Sequence, residues 1–210
     1  VQGDAVIAVD EAYRPVAPVQ LGMDYRCLPE SEAFAREFGE EWLFKKTGMR
    51  PHPLVSLCKV RNFVFQTPEL DHRAARYMTY SDYMLSRLGA DEPVIDHTMA
   101  TRTMGVDLQT LDWDDALIRA AGVDRSRLSR PMPSGVSVGR LNARLAEALN
   151  ISPKAMLVTG GHDQPCAALG AGLVRPGLAL DSHGTAEVVS AAFDAPNTSD
   201  AMFRGGFPCY

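Results

Sequence analysis

The period of apolar positions changes several times along the chain, and each change marks an element. Residues 5–9 form an apolar run closed by Asp10, and residues 15–21 resume an extended pattern after a turn at 11–14. Together they predict a β-hairpin with a long loop. At Pro29-Glu30-Ser31-Glu32 the period becomes helical. Proline lacks an N–H that the first helical turn does not need, and acids there meet the positive end of the helix dipole. The spacing predicts a helix over 29–38, a break at Gly39, and a second helix over 40–47 closed by Gly48.

Residues 56–65 place Leu57, Val60, Phe63 and Val64 at helical spacing. Residues 67–75 predict a short helix and 76–79 a short strand. Ser81 or Asp82 is the expected cap of a helix that reaches Leu88 and stops at Gly89. Residues 96–103 are compatible with helix and with loop. Asp112, with Asp115 three residues on, is the expected cap of a helix ending at Gly122. Proline, serine and glycine over 131–139 predict a linker. A helix over 140–149, a strand over 155–159 and a helix from Pro165 to Gly170 or Gly172 follow. Two strands, 178–181 and 186–193, flank a tight turn at 182–185. Strands that feed helices through glycine corners define an α/β chain.

Composition narrows the classes. The 210 residues are 46% hydrophobic and 22% charged, ordinary globular usage that argues against disorder, collagen and coiled coil. Lys plus Arg number 21 against 26 Asp plus Glu, a net charge of −5. That balance argues against nucleic acid and anionic membranes as partners, but not against a phosphate site built from backbone N–H groups. Cys27, Cys58, Cys166 and Cys209 are scattered and form no C-x-x-C pair, which argues against zinc-ribbon and thioredoxin-like readings. Isolated thiols fit a reducing, cytoplasmic location. No apolar run approaches the ~18 residues of a membrane span. The sequence opens on Val1-Gln2-Gly3-Asp4 without an initiator Met and stops at Phe207-Pro208-Cys209-Tyr210, so a piece of a longer protein is expected.

Two glycine corners concentrate the candidate chemistry. The first is Gly160-Gly161-His162-Asp163-Gln164, between a strand and a helix. An acid there sits where open α/β sheets bind ligands, and glycines permit close approach to the backbone. Local chemistry by itself favours Asp163 as a cap of the helix over a catalytic acid. The second is Asp181-Ser182-His183-Gly184-Thr185, which fits either a phosphate-holding turn or a plain hairpin. His162 and His183 lie at the corners, without the further ligands that a metal site needs. Cys166 fits an activated thiol or a small buried side chain. Asp4 and Asp24 suit exposed turns, Lys59 a solvated helix face, and Trp113 a packed anchor.

The corner Gly160-Gly161-His162-Asp163-Gln164, the run Ala167-Ala168-Leu169-Gly170-Ala171-Gly172, the segment Val174-Arg175-Pro176-Gly177 and the turn Gly184-Thr185 together resemble the FGGY carbohydrate kinases. Upstream, Thr101-Arg102-Thr103-Met104 and Thr110-Leu111-Asp112-Trp113-Asp114-Asp115 resemble a segment of glycerol kinases, and Met23-Asp24-Tyr25-Arg26 resembles the family's W-x-D-x-R run. The resemblance implies a ribonuclease H-like, actin-like ATPase fold. It implies an incomplete first, sugar-binding domain over 1–175 and the first strands of the second domain over 176–210. It implies phosphoryl transfer from ATP with Mg2+ to a sugar or polyol, with Asp163 as general base. Asp4, Asp24 and Gln164 would bind the acceptor, Gly184 and Thr185 would hold ATP phosphates, and no protein-held metal site is implied.

The departures are specific. The family's D-x-G-T phosphate loop and its later adenosine site are absent from these residues, so the chain alone is expected to be inactive. Asn62 stands where the K-x-x-W helix carries tryptophan. Leu54 stands where glycerol kinases carry tyrosine and Gly3 where they carry arginine, which argues against glycerol as the acceptor. The sequence leaves the acceptor and the oligomeric state open, a homodimer among the options. The competing readings are a non-catalytic actin-fold sugar-binding or regulatory protein, and a hydrolase using Cys166 or His162, which lacks a partner constellation.

Overall fold

The computed structural model describes residues 3–184 and 187–210. Strand β1 (Ile7–Val9) is wholly buried and pairs antiparallel with β2 (Arg76–Met78), Ile7 opposite Met78. The segment after the turn also returns along β1, through bridges Val6 to Gln20 and Val9 to Pro15. Between the two strands lie α1 (Leu28–Phe38), α2 (Glu40–Thr47), α3 (Ser56–Gln66) and α4 (Pro68–Asp71). Gly39 and Gly48 take φ of 83° and 73°, left-handed values open to glycine, so the two stops fall where the sequence places them.

The main core joins these helices to the strands behind them. Phe34, Leu43, Leu57, Phe63, Ile95 and Leu117 all lie within it, each at most 2% exposed. Burying such side chains contributes roughly 1.5–3 kcal/mol apiece. A second cluster, Val94, Val138, Leu141 and Leu157, holds the middle of the chain.

Three local expectations are corrected. Helix α5 (Tyr80–Leu88) is capped by Thr79, not by Ser81 or Asp82; Asp82 is the reciprocal acid of a capping box, its Oδ1 accepting the Thr79 N–H at 2.7 Å. Strand β3 (Val94–Asp96) follows, and Asp96 caps α6 (His97–Arg102) by accepting from Met99 N at 3.1 Å. Strands β4 (Val106–Asp107) and β5 (Asp112–Trp113) pair antiparallel. That pairing takes Asp112 out of the cap position, and Asp114 caps α7 (Asp115–Ala120) instead, accepting from Ala116 N and Leu117 N.

The third correction concerns 131–139, which is not a linker. Strand β6 (Arg130–Met132) pairs parallel with β3, and β7 (Ser137–Arg140) pairs antiparallel with β8 (Met156–Val158) across a bulge. Pro131 is tolerated because β6 has a neighbour on one side only. Helix α8 (Ala143–Ala148), capped by Asn142, separates β7 from β8.

Helix α9 (Asp163–Gly170), the antiparallel hairpin β9 (Ala179–His183) and β10 (Glu187–Ala191), and α10 (Asp200–Gly205) complete the described chain. The C-terminal segment packs back on α2: Phe203 lies 5.6 Å from Phe44, and Cys209 N donates to Gly48 O at 2.9 Å. Among the described residues no helix is long and apolar enough to cross a membrane.

Candidate functional site

The parallel pair β3–β6 ends at Asp96 and Met132, and the first glycine corner is held against that carboxyl end. The link is Thr98, in the first turn of α6. Its hydroxyl donates to Asp96 Oδ1 at 2.5 Å and accepts the His162 N–H at 2.8 Å. Gly161 is required at this join, since a Cβ there would lie 2.9 Å from Cys166 Sγ and 3.2 Å from Thr98 Oγ1. Gly160 faces open space and is not needed by any packing contact.

Asp163 is the first residue of α9, after His162 at the cap position. The cap reading of Asp163 therefore fails in its strict form, although Oδ1 accepts the adjacent Gln164 N–H at 2.8 Å. Its side chain is 59% exposed, whereas that of His162 is 8% exposed. His162 Nε2 lies 3.2 Å from Asp163 Oδ1. Burial pushes the imidazole pKa below its ordinary value, and the charge of Arg102 pushes it the same way. Lowered from 6.5, the pKa leaves the ring neutral near pH 7. Among the described residues, His162 Nδ1 and Gln164 Oε1 are buried without a hydrogen-bond partner. An exposed carboxylate beside them suits a ligand rich in hydroxyls, which donate to an oxygen and either donate to or accept from an imidazole nitrogen.

Asp4 reaches the same place from the entry to β1. It is 8% exposed, not the exposed turn acid that its surroundings in sequence suggest. Arg102 Nη2 donates to Asp4 Oδ2 at 2.5 Å and Nε to Oδ1 at 3.2 Å, a bidentate pair. Burial opposes the guanidinium charge, but the Asp4 bonds outweigh it and hold the Arg102 pKa above its ordinary value. Gly3 lies against the corner: a Cβ there would fall 2.8 Å from His162 Cδ2. Tyr210 completes the wall, its ring 4.7 Å from the Arg102 guanidinium carbon and edge-on to His162 at 6.0 Å. The structure thus brings Asp4, Asp163 and Gln164 to one corner.

Asp24 sits at its margin. It caps a short 3-10 turn and is paired with Arg26 at 2.8 Å; among the described residues no hydrogen bond or ion pair joins it to Asp163. Partial burial opposes its charge, but hydrogen bonds from Arg26 prevail and lower its pKa. Lys59 is corrected from a solvated lysine: it is fully buried and donates to Pro53 O at 2.9 Å and to Leu54 O. Burial lowers its pKa. Gly184 is exposed at the β9–β10 tip, and Thr185 lies outside the described residues. On the same hairpin, the exposed side chains of Asp181, His183 and Glu187 offer ligand atoms within 4.8 Å of one another. Cys166 is exposed, against the buried alternative. Thr98 and Tyr210 were not legible as site residues. Arg102 was legible as part of a motif, but nothing in sequence pairs it with Asp4.

The fold is a mixed α/β, actin-like ATPase fold shared with solved carbohydrate kinases. A model of the FGGY family of carbohydrate kinases, N-terminal domain, matches residues 1–170, and the chain belongs to that family. The gluconokinase of Bacillus subtilis (strain 168) is 29% identical over 210 residues, 98% of this chain and 39% of its own length. The xylulose kinase of Lactococcus lactis subsp. lactis (strain IL1403) is 26% identical over 192 residues, 90% of this chain and 38% of its own. The crystal structure of gluconate kinase from Lactobacillus acidophilus matches with a TM-score of 0.87 at 19% identity, covering 93% of this chain and 40% of that one. The chain thus spans about two fifths of the length of the curated relatives it matches.

Proposed function

We propose that the protein carrying this chain transfers a phosphoryl group from ATP to a hydroxyl of a sugar or polyol, with Asp163 as general base. The observation that carries the reading is the corner itself. An exposed carboxylate at the start of α9 stands beside two buried polar atoms without partners among the described residues, His162 Nδ1 and Gln164 Oε1. Hydroxyls of an acceptor satisfy all three.

Phosphoryl transfer asks the protein mainly for positioning and charge stabilisation. Gln164 orients the acceptor, and Asp4, bound to Arg102, shapes the wall beside it, with Asp24 at the margin. Asp163 takes the proton of the reacting hydroxyl as its oxygen bonds to phosphorus and the bond to the ADP oxygen breaks. His162, neutral and with Nε2 3.2 Å from Asp163 Oδ1, borders the carboxylate without adding a charge. When bound, ATP with Mg2+ supplies the phosphoryl group and its charge neutralisation. Gly184 fits a phosphate-facing tip, exposed and with no side chain to obstruct approach; Thr185 would add a hydroxyl.

On this reading residues 1–175 are the acceptor-binding part and 176–210 begin the nucleotide-binding part. The 210 residues alone then do not turn over. The test is ADP release by the full-length protein with Mg2+-ATP against a panel of sugars and polyols. Acceptor-dependent ADP release is expected from the full-length protein and none from residues 1–210. Absence of release with every acceptor would refute the kinase reading, and turnover by the 210 residues would refute the division.

A further inference from the structure

We propose that the Asp4–Arg102 pair makes this site select an uncharged acceptor and reject one that carries a carboxylate. The proposal rests on the kinase reading and names the substrate class within it. A guanidinium recognises a carboxylate through its N–H edge and an aromatic group through its face. At Arg102 the Nε–Nη2 edge and the face are engaged. Nε and Nη2 are bound to Asp4, and the Tyr210 ring lies over the guanidinium at 4.7 Å. The side chains of the pair are 14% and 9% exposed, so their charges cancel within the protein.

The neighbouring positive groups are committed as well. Lys59 is buried and donates to the carbonyls of Pro53 and Leu54. Arg26 is held by Asp24 at 2.8 Å. His162 is neutral near pH 7. Among the described residues, what remains at the corner is the Asp163 carboxylate and two unpartnered polar atoms, His162 Nδ1 and Gln164 Oε1. A hydroxyl can donate to the carboxylate and to Gln164 Oε1. A carboxylate can donate to neither and adds a like charge beside Asp163. The Bacillus subtilis relative is named a gluconokinase, and gluconate is such a carboxylate. The inference separates this chain from that relative.

The test compares kcat/KM of the full-length protein for gluconate with that for the best neutral sugar or polyol. The neutral acceptor is expected to lead by at least about tenfold, a difference of about 1.4 kcal/mol. Asp4→Asn then removes the charge that occupies Arg102. Asn tolerates the left-handed backbone of this position, φ 68°. In that variant the gluconate-to-neutral ratio is expected to rise at least about tenfold, with an unchanged melting temperature as the check on folding. A wild type that prefers gluconate overturns the proposal and leaves the kinase reading intact. So does an unchanged ratio in folded Asp4→Asn. If that variant does not fold, the wild-type preference decides alone. A protein that uses neither class of acceptor loses the kinase reading and this proposal with it.

Discussion

Replacing Asp82 by asparagine should flatten part of the pH dependence of stability. Asp82 is 1% exposed and bonded to Thr79 N at 2.7 Å and to the hydroxyls of Thr79 and Ser129 at 2.5 Å. A cavity of about 30 Å³ lies beside it, lined by Leu57, Val60, Ile95 and Trp113 among others. Burial raises its pKa from the ordinary 3.8 to about 6, and the three hydrogen bonds only moderate the rise. The folded state therefore binds the proton more tightly than the unfolded state. The resulting stabilisation is complete below about pH 4 and is lost as pH rises through about 6. A shift of roughly two units corresponds to about 3 kcal/mol. The substituted amide carries no charge at any of these pH values. The stability of wild type relative to Asp82→Asn should thus fall by about 3 kcal/mol between about pH 4 and pH 7. Urea unfolding can follow it through Trp113, whose indole N–H bonds Ser129 O at 2.9 Å, next to the Asp82 site. A difference that does not vary with pH would refute the reasoning.

Other outcomes follow from contacts at the corner and at the helix caps. Gly3→Ala pushes a Cβ to 2.8 Å from His162 and must displace the ring. It should lower kcat/KM by about tenfold or more; wild-type kcat/KM in this variant would contradict the close approach. Asp114→Ala removes the cap of α7 and should cost about 1 kcal/mol. Asp112→Ala loses an exposed pair with Arg125 and the bond from Trp113 N at 2.8 Å, but no helix cap, and should cost less than Asp114→Ala. Equal losses in urea unfolding would refute the cap assignment.

What could be read from the sequence is what local chemistry decides. The stops at Gly39, Gly48 and Gly89 were legible because each residue has a positive φ, a property of the residue itself. The first glycine corner was legible because the apolar strand ends in an acid at a helix start. The misplaced caps have a different cause. Asp112 has the composition of a cap, but pairing of β5 with β4 engages it, and strand pairing is not a local property. The stretch 131–139 carries the composition of a linker, and its order comes from β3 and β8, which lie distant in sequence. Lys59 has the pattern of a solvated lysine because burial depends on what packs over it. The Asp4–Arg102 pair spans 98 positions and emerged only once the chain was folded.

The central claim stands on Asp163. The most direct measurement is kcat of Asp163→Asn in the full-length protein, with acceptor binding followed in parallel by calorimetry. General-base catalysis predicts a fall in kcat of roughly 10²–10⁴-fold. Acceptor affinity should stay within a few-fold of wild type, since Gln164, His162 and Asp4 remain in place. A variant that binds the acceptor and still turns over within about fivefold of wild type would contradict the account.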